Sequence, residues 1–231
     1  MSKNEHLIVT KGLKKVYSDG TIPVQAIRGV DLIIERGEFS TIVGPSGSGK
    51  TTLLNLISGL DRPTEGEVYL NGRLLTSLTG KELSDFRRDH IGFIFQAYNL
   101  IPVLTVEENI EYIMLLQGIS REERHRRIME ILQKVGLSGL ENRKPPQLSG
   151  GQQQRVAIAR AMVSQPSLIL ADEPTANLDS ETGEALLDLM MHLNKSTGMT
   201  FLFSTHDKMV MEKARRIIIL KDGKIAADER K

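Results

Sequence analysis

A short glycine-rich segment between an apolar run and a helical pattern constrains the fold of this chain most. The segment "IVGPSGSGKTT", residues 42–52, follows β-like residues and runs into the helical pattern "TTLLNLISGL". It has the spacing G-x-x-x-x-G-K-[ST], in which glycines let the backbone turn and point N–H groups at phosphate oxygens. The helix N-terminus adds positive partial charge. A plain glycine-rich turn is the alternative, but the flanking strand and helix favour a nucleotide phosphate site.

Two side chains of this loop have predicted chemical roles. Lys50 would reach the β- and γ-phosphates, and the Thr51 hydroxyl would ligate Mg²⁺. We therefore predict ATP and Mg²⁺ as the cofactors of this chain. The residues predicted to contact ATP in the loop are Gly44, Pro45, Ser46, Gly47, Ser48, Gly49, Lys50, Thr51 and Thr52.

A pair of adjacent carboxylates ends another apolar run, "SLILADEPTANLD", residues 167–179. A parallel strand delivers such side chains to the carboxyl edge of the sheet, where ligands of open α/β sheets bind. Successive strand residues point in different directions, so the two carboxylates serve different groups. We predict that Asp172 serves Mg²⁺ and that Glu173 polarises an attacking water as general base. The alternative is an N-cap pair that opens the next helix.

Two further polar residues end apolar runs of the same kind. His206 follows "TFLFST" and is predicted to contact the γ-phosphate or to orient the water. Gln96 ends "IGFIFQ" and is predicted to complete the Mg²⁺ or water contacts. Taken alone, a histidine after a strand is more often an ordinary loop residue, and the signal from Gln96 is weaker still.

A second glycine-rich helix start lies in "LSGGQQQRVAIARA", residues 148–161. Ser149 is a good N-cap, and Gly150 and Gly151 fall in the first turn, where N–H groups have no intrahelical partner. Bare backbone, a hydroxyl and the helix dipole together make an anion site. An ordinary capped core helix is the alternative; it explains the apolar face but leaves the doubled glycine unexplained.

The rest of the sequence predicts an α/β fold. β-like runs alternate with turns up to residue 96, and apolar runs alternate with helices from residue 166. Continuous apolar strands between helices indicate a parallel sheet covered on both faces. The pattern of residues 97–165 instead predicts inserted helices. Two of them would begin with the spacing of a capping box, at Thr105 and Glu108 and at Ser120 and Glu123. Gly136 would end the second of these helices.

Composition excludes several function classes. The chain has 231 residues and no Cys, so disulfides and thiolate chemistry are excluded. A net charge of +1, no Trp and 4% aromatics argue against nucleic acid as a partner. We expect neither a leader peptide nor a run near the roughly 20 apolar residues that span a bilayer, so a partner would supply any membrane span.

Together the motifs resemble those of the nucleotide-binding subunits of ABC transporters, over essentially the whole chain. "LSGGQ" resembles the family signature, Tyr17 lies where the family has its adenine-stacking aromatic, and Gln96 matches the Q-loop. "ANLD" to Asp179 matches the D-loop, and His206 matches the switch histidine. The resemblance implies a signature that binds the ATP of a second subunit through Leu148, Ser149, Gly150, Gly151 and Gln152.

The resemblance also implies an architecture and a mode of action. The fold would be a P-loop NTPase of the ABC ATPase type, with a mostly parallel core sheet, an N-terminal antiparallel β subdomain and an inserted α-helical subdomain. Residues 1–96 and 166–231 would form the core and residues 97–165 the helical subdomain. Two copies would pair head to tail around ATP, and hydrolysis would let the dimer open.

Four longer segments look most like the MacB/LolD-type group, which serves lipoprotein release and the export of macrolides or peptides. The segments are "GLDRPTEGEV", "LSDFRRDHIGFIFQAYNLIP", "LSGGQQQRVAIARA" and "ADEPTANLDSETGE". The group implies a separate permease of the MacB, LolC or LolE type and a peripheral position at the cytoplasmic face of the inner membrane. The permease would dock near "AYNLIPVLTVEEN", where the apolar residues Leu100, Ile101, Val103 and Leu104 form a groove or simply pack the helices. An FtsE-like ATPase that regulates a membrane partner without transport has identical motifs. Soluble repair or translation ATPases are a third alternative. They have longer insertions or two cassettes, whereas this sequence has one cassette and a short insertion, which argues against them.

Overall fold

A computed structural model describes residues 6–18 and 22–231. These residues form ten strands and seven α-helices. The strands are β1 (His6–Tyr17), β2 (Val24–Glu35), β3 (Phe39–Val43), β4 (Glu65–Leu70), β5 (Arg73–Leu74), β6 (Ile91–Ile94), β7 (Leu168–Asp172), β8 (Thr200–Thr205), β9 (Arg216–Lys221) and β10 (Lys224–Arg230). The helices are α1 (Lys50–Ser58), α2 (Gly80–His90), α3 (Val106–Leu116), α4 (Arg121–Lys134), α5 (Gly150–Met162), α6 (Ser180–Thr197) and α7 (Lys208–Lys213).

The strands form two sheets. The N-terminal sheet is antiparallel, in the order β2-β1-β4-β5. The second has the order β10-β9-β3-β8-β7-β6; five of its strands are parallel, and β10 pairs antiparallel with β9 at one edge. The predicted mostly parallel core sheet and N-terminal antiparallel sheet are therefore confirmed.

The central strands are apolar throughout because both faces of the sheet are covered. In β7, Leu168 and Leu170 belong to one hydrophobic cluster and Ile169 to the other. In β8, Leu202 and Phe203 divide in the same way. Side chains alternate between faces along a strand, so a strand buried on both sides reads as a continuous apolar run.

Helices α3, α4 and α5 occupy the region predicted to be helical. A full capping box opens α3 at Thr105 and Glu108. At the start of α4 only half of the expected box forms: Ser120 caps the Glu123 N–H, while the Glu123 carboxylate pairs with Arg126 and another arginine. Gly136 has φ 70° just beyond α4, as expected for a helix end. The buried residues of these helices share one cluster with a face of the core sheet.

Helix α2 and the edge strand β10 were not predicted from the sequence. A full capping box between Thr79 and Glu82 opens α2, and Leu83 and Phe86 are buried along it. The spacing Thr79-x-x-Glu82 is the local signal that predicts this helix. Few apolar residues follow it, which explains why periodicity alone did not indicate a helix.

Thr41, in the middle of β3, offers a stability prediction. Its side chain is fully buried, and within the described part of the chain its hydroxyl has no hydrogen-bond partner. Thr41→Val removes the unpaired hydroxyl and keeps the β-branched shape, so we expect the free energy of unfolding to rise by about 1 kcal/mol in urea titrations. The control is Thr200→Val, because the Thr200 hydroxyl accepts the Gly37 N–H at 2.9 Å and its loss should destabilise the fold. A less stable Thr41→Val protein would contradict the prediction.

Candidate active site

The predicted site residues follow strands that lie side by side in the core sheet. The glycine-rich loop follows β3, Asp172 ends β7, and His206 follows β8. These three strands are parallel neighbours in the order β3-β8-β7. Their carboxyl ends therefore meet at one edge of the sheet, where the sequence places the phosphate site.

Close packing explains two glycines of the phosphate loop. A Cβ on Gly44 would lie 2.1 Å from the carbonyl oxygen of Leu220. Gly49 has φ 103°, and a Cβ there would lie 2.6 Å from the carbonyl oxygen of Ala26. The Lys50 ammonium donates to the Gly44 carbonyl at 2.8 Å, so it lies over the loop. The loop thus presents backbone N–H groups and one cation at the start of α1.

Asp172 lies between two hydroxyl groups at this edge. Thr51 Oγ1 donates to Asp172 Oδ2 at 3.0 Å, and Ser204 Oγ donates to Asp172 Oδ1. A threonine hydroxyl beside a carboxylate is a set of hard oxygen donors, which suits Mg²⁺. The structure therefore brings together Thr51 and Asp172, two of the three predicted metal residues.

Glu173 has a strained backbone and a fully engaged carboxylate. Its φ is 47°, a left-handed conformation that is costly for a residue other than glycine and concentrates at functional sites. Oε1 lies 2.7 Å from His206 Nδ1, and Oε2 accepts the Thr205 hydroxyl at 2.8 Å. The Glu173 side chain is 15% exposed and that of His206 is 73% exposed. His206 therefore contacts the predicted general base directly, in addition to the roles expected from the sequence.

The predicted adenine-stacking residue, Tyr17, belongs to a small polar cluster near α1. Its hydroxyl donates to Asp61 Oδ2 at 2.8 Å, and Lys15 Nζ donates to Asp61 Oδ1 at 2.6 Å. The Lys15 ammonium also lies 4.8 Å from the centre of the Tyr17 ring. Burial and the Asp61 hydrogen bond raise the pKa of the Tyr17 phenol, so this side chain stays neutral at physiological pH. The ring remains 43% exposed for stacking.

Gln96 and Asp179 make contacts through the loop that follows β7. Gln96 is exposed just beyond β6, and its backbone carbonyl accepts a hydrogen bond from Asn177 Nδ2 at 2.7 Å. Asp179 is the N-cap of α6, where the Thr182 N–H donates to it at 2.9 Å. The Thr182 backbone and hydroxyl lower the pKa of the Asp179 carboxyl. The metal role of Gln96 stays a prediction.

The predicted signature forms the capped start of α5. Ser149 Oγ accepts the Gln152 N–H at 3.3 Å, and Gln152 Oε1 accepts the Ser149 N–H at 2.9 Å. Ser149 is exposed, whereas Leu148 is buried. Ser149 thus faces solvent at a helix N-terminus, as an anion site requires.

Packing within the chain explains part of the doubled glycine. A Cβ on Gly151 would lie 2.6 Å from Thr182 Cγ2, and one on Gly150 would lie 3.1 Å from the Tyr98 hydroxyl. Thr182 is held in place by its bonds to Asp179. The interpretation that packing leaves the glycines unexplained is therefore wrong for Gly151, because α5 must approach the start of α6 closely.

The two glycine-rich helix starts have different surroundings. A Cβ on the phosphate-loop glycines Gly44 and Gly49 meets β9 and β2. A Cβ on Gly150 and Gly151 meets Tyr98 and α6 instead. Among the described residues, these glycines and the hydrogen bonds of the signature therefore give no contact with the phosphate loop of the same chain.

An apolar groove of about 260 Å³ lies beside the loop after Gln96. It is lined by residues of β6, α3 and α5, including Phe95, Ile101 and Tyr112. Of the four residues predicted to form a docking groove, Ile101 and Val103 are 41% and 69% exposed, whereas Leu100 packs against the core. Leu104 is half-buried. Both alternatives therefore hold for part of the segment. Leu100 packs against the core, whereas Ile101 and Val103 face solvent.

Three residues of the site were missed by the sequence analysis. Ser204 and Thr205 each donate to one of the paired carboxylates, and Asp61 holds the Tyr17 hydroxyl. The sequence offers one weak signal, since two hydroxyl residues end the same apolar strand as His206. Only the register of β7 and β8 identifies the partners of Ser204 and Thr205.

A phosphate loop at the carboxyl edge of a parallel sheet, with a carboxylate pair on a neighbouring strand, defines the P-loop nucleoside triphosphatases. Within that class, the sequence profile of the ABC transporter family matches residues 27–176. The chain belongs to the ABC transporter family, and it is an ATP-binding cassette with ATPase activity.

Relatives of known sequence and structure agree with this assignment. The chain is 48% identical over 228 residues to ABC transporter ATP-binding protein MJ0796 of Methanocaldococcus jannaschii, covering 97% of each. A dimeric structure of MJ0796 superposes with a TM-score of 0.89, covering 97% of this chain and 98% of that chain. A second MJ0796 dimer represents a post-hydrolysis state bound to ADP and Pi, with 47% identity, a TM-score of 0.89 and the same coverage.

Two other relatives are named for a transport role. The lipoprotein-releasing system ATP-binding protein LolD of Legionella pneumophila is 41% identical over 226 residues, which cover 98% of this chain and 100% of LolD. The macrolide export ATP-binding/permease protein MacB 1 of Aeromonas hydrophila is 44% identical over 227 residues. That match covers 98% of this chain and 35% of the longer MacB protein. In residues 6–18 and 22–231, no helix has the length and apolarity to cross a bilayer.

Proposed function

We propose that the chain is the ATP-hydrolysing subunit of a transporter and works as a head-to-tail homodimer that powers a separate membrane permease. The observation that carries this proposal is that the two glycine-rich helix starts have different neighbours. The exposed Ser149 end of α5 is built to bind an anion, yet its neighbours are not those of the phosphate loop. A second copy of the chain would bring its own bound ATP to this helix end.

Within one subunit, the roles follow from the contacts at the sheet edge. Lys50 and the loop N–H groups would bind the β- and γ-phosphates, and the Tyr17 ring would stack on adenine. Thr51 and Asp172 would hold Mg²⁺, with Gln96 near them. The bound Mg²⁺ would neutralise charge on the phosphate oxygens. Glu173 would accept a proton from the attacking water.

His206 would move between two partners during the cycle. In the present structure, His206 Nδ1 lies 2.7 Å from Glu173 Oε1, while the His206 side chain is largely exposed. A γ-phosphate would offer a more highly charged acceptor for the same N–H group. Leaving Glu173, His206 would free Oε1 to accept the water proton.

Both MJ0796 dimers support the dimer proposal. MJ0796 is dimeric in both structures, and one of them holds ADP and Pi after hydrolysis. In our proposal, ATP bound by one subunit is also bound by the signature of the other subunit. The signature residues are Leu148, Ser149, Gly150, Gly151 and Gln152. Loss of the γ-phosphate would remove the shared contact and let the dimer open.

The permease is proposed to be of the MacB, LolC or LolE type, and the substrate a lipoprotein, a macrolide-like molecule or a peptide. Similarity to LolD along its whole length and to a third of MacB supports this subgroup. We place the cassette at the cytoplasmic face of the inner membrane, held there by the permease. Residues 97–165 would form the unit that carries both the signature and the docking surface, while 1–96 and 166–231 form the core.

The docking surface is proposed to be the apolar groove beside Ile101 and Val103. Single exposed apolar residues are ordinary, but here Tyr112, Leu115 and Leu116 of α3 are also between 47% and 53% exposed. Of these exposed residues, Tyr112 lines the groove together with Ile101, and exposed apolar residues that share a cavity mark an interaction site. A short apolar helix of the permease would fit the groove.

Co-purification tests the partner. The Glu173→Gln protein, trapped with ATP, is purified from detergent-solubilised membranes, and co-purifying proteins are identified by mass spectrometry. We expect a permease with several membrane spans, and its recovery should fall in an Ile101→Glu variant, whose exposed side chain lines the groove. Met129→Glu is the control, because Met129 is exposed on α4 and does not line the groove. Recovery of no membrane protein in any form would contradict the proposal.

Reconstitution of the two partners then separates transport from regulation. ATP turnover with vectorial substrate movement supports the transport function. Turnover without any movement of the substrates released or exported by the relatives supports an FtsE-like regulator instead.

A further inference from the structure

Two hydroxyl residues at the end of β8 contact the two carboxylates at the end of β7. The parallel pairing places Asp172 opposite Ser204. Since successive strand residues face opposite sides of a sheet, Ser204 and Thr205 serve different partners. Ser204 donates to Asp172, and Thr205 donates to Glu173.

The proton of the Thr205 hydroxyl has a fixed direction. Thr205 Oγ1 accepts the Asp207 N–H at 3.0 Å and is 2.8 Å from Glu173 Oε2. Because the ionised carboxylate only accepts, the single hydroxyl proton must point at it. Thr205 is fully buried, so water does not compete for this bond.

Two further hydrogen bonds fix the backbone at Glu173 and just after it. The Glu173 N–H donates to the Ser204 carbonyl at 2.9 Å. Thr175 Oγ1 donates to Asp207 Oδ2 at 2.8 Å, which ties the segment after Glu173 to the segment after Thr205. The left-handed backbone at Glu173 is therefore held from both sides, as a strained residue requires.

Ser204 has a matching place beside Asp172. Its side chain is fully buried and donates to Oδ1, while Thr51 donates to Oδ2. With one oxygen held by the buried Ser204, the Asp172 carboxylate keeps a fixed orientation toward the start of α1. Partners of this kind behind a metal-binding carboxylate set the affinity of the site.

We propose that Thr205 and Ser204 are positioning residues of the ATPase site, Thr205 for the general base and Ser204 for the Mg²⁺-binding carboxylate. The inference rests on the proposed roles of Glu173 and Asp172. The exposed His206 holds Glu173 Oε1 and would leave it for the γ-phosphate, whereas the buried Thr205 stays. Thr205 thus keeps Glu173 aimed at the water in the step when His206 no longer does.

Thr205→Val tests the role toward the base, since valine keeps the shape and removes only the hydroxyl. We expect kcat to fall about tenfold, the scale of one hydrogen bond to a charged group, with KM for ATP nearly unchanged. Thr205→Ser restores the hydroxyl and should recover most of kcat. Thr41→Val is the matched control, because it removes a buried strand hydroxyl that has no hydrogen-bond partner among the described residues.

Ser204→Ala tests the role toward the metal without turnover. Binding of a fluorescent ATP analogue is titrated with Mg²⁺, and the half-saturating Mg²⁺ concentration should rise about tenfold. Thr205→Val should leave this titration unchanged. Melting curves for each variant establish that the folded protein is being compared.

Three outcomes overturn the inference. One is a folded Thr205→Val protein with the kcat of the wild type, the second is Thr205→Ser as impaired as Thr205→Val, and the third is an unchanged Mg²⁺ titration in Ser204→Ala. Failure of the proposed function looks different: Glu173→Gln would then hydrolyse ATP like the wild type, whatever the residue 205 variants do.

Discussion

Glu173→Gln is expected to lower phosphate release by about 10²–10⁴-fold, the range that a general base contributes. Glutamine has the same shape and still accepts from Thr205, whose hydroxyl lies 2.8 Å from Oε2, so the loop should keep its conformation. It lacks the negative charge needed to accept a proton from water. ATP should therefore bind with nearly unchanged affinity, and the ATP-bound dimer should accumulate because the shared γ-phosphate stays in place.

Single-turnover phosphate release and size-exclusion chromatography with ATP measure the two effects. Glu229→Gln is the matched control, because Glu229 is exposed on the edge strand β10, far along the chain from the site. It should retain wild-type turnover. Phosphate release from Glu173→Gln at the wild-type rate would remove Glu173 from the catalytic role.

Ser149→Arg is expected to abolish ATP-driven dimerisation while the single subunit still binds ATP. Ser149 is exposed, and its loss as N-cap costs only about 1 kcal/mol, so the fold should persist. The arginine would fill the space that the γ-phosphate of the other subunit needs beside the first turn of α5. We expect the dimer to weaken about 100-fold or more, as for other interfaces with a misplaced buried charge.

Dimer formation is measured by size-exclusion light scattering with ATP, and binding to the single subunit by fluorescence titration. Ser120→Arg is the matched control, since Ser120 is likewise an exposed serine N-cap, at the start of α4. It should lose the same capping energy and still dimerise. Loss of ATP binding by the Ser149→Arg subunit would show that the signature belongs to the site of its own chain.

A Gly151→Asp change is a less clear test of the same idea. A Cβ at Gly151 would lie 2.6 Å from the Thr182 methyl group. The substitution would therefore disturb the contact between α5 and α6 within one subunit, besides any effect on the dimer. The exposed position of Ser149 avoids this problem.

Local sequence signals predicted much of the fold correctly. Thr105 and Glu108 form the expected capping box, Ser149 is the N-cap of α5 as predicted, and the phosphate loop lies between β3 and α1. Such signals work because their physical causes act over three or four residues. Helix α2 was missed although Thr79 and Glu82 carry the same signal, because its apolar face is weak.

The sequence by itself determined which chemical groups this protein has: a phosphate-binding loop, a carboxylate pair at a strand end, and a second glycine-rich helix start. These depend on residues close together in the chain. Only the tertiary structure decided the partners of those groups. Ser204 and Thr205 meet Asp172 and Glu173 across 32 positions because β7 and β8 pair in one register. Strand order and register follow from burying both faces of the whole sheet, a requirement that no short stretch of sequence contains.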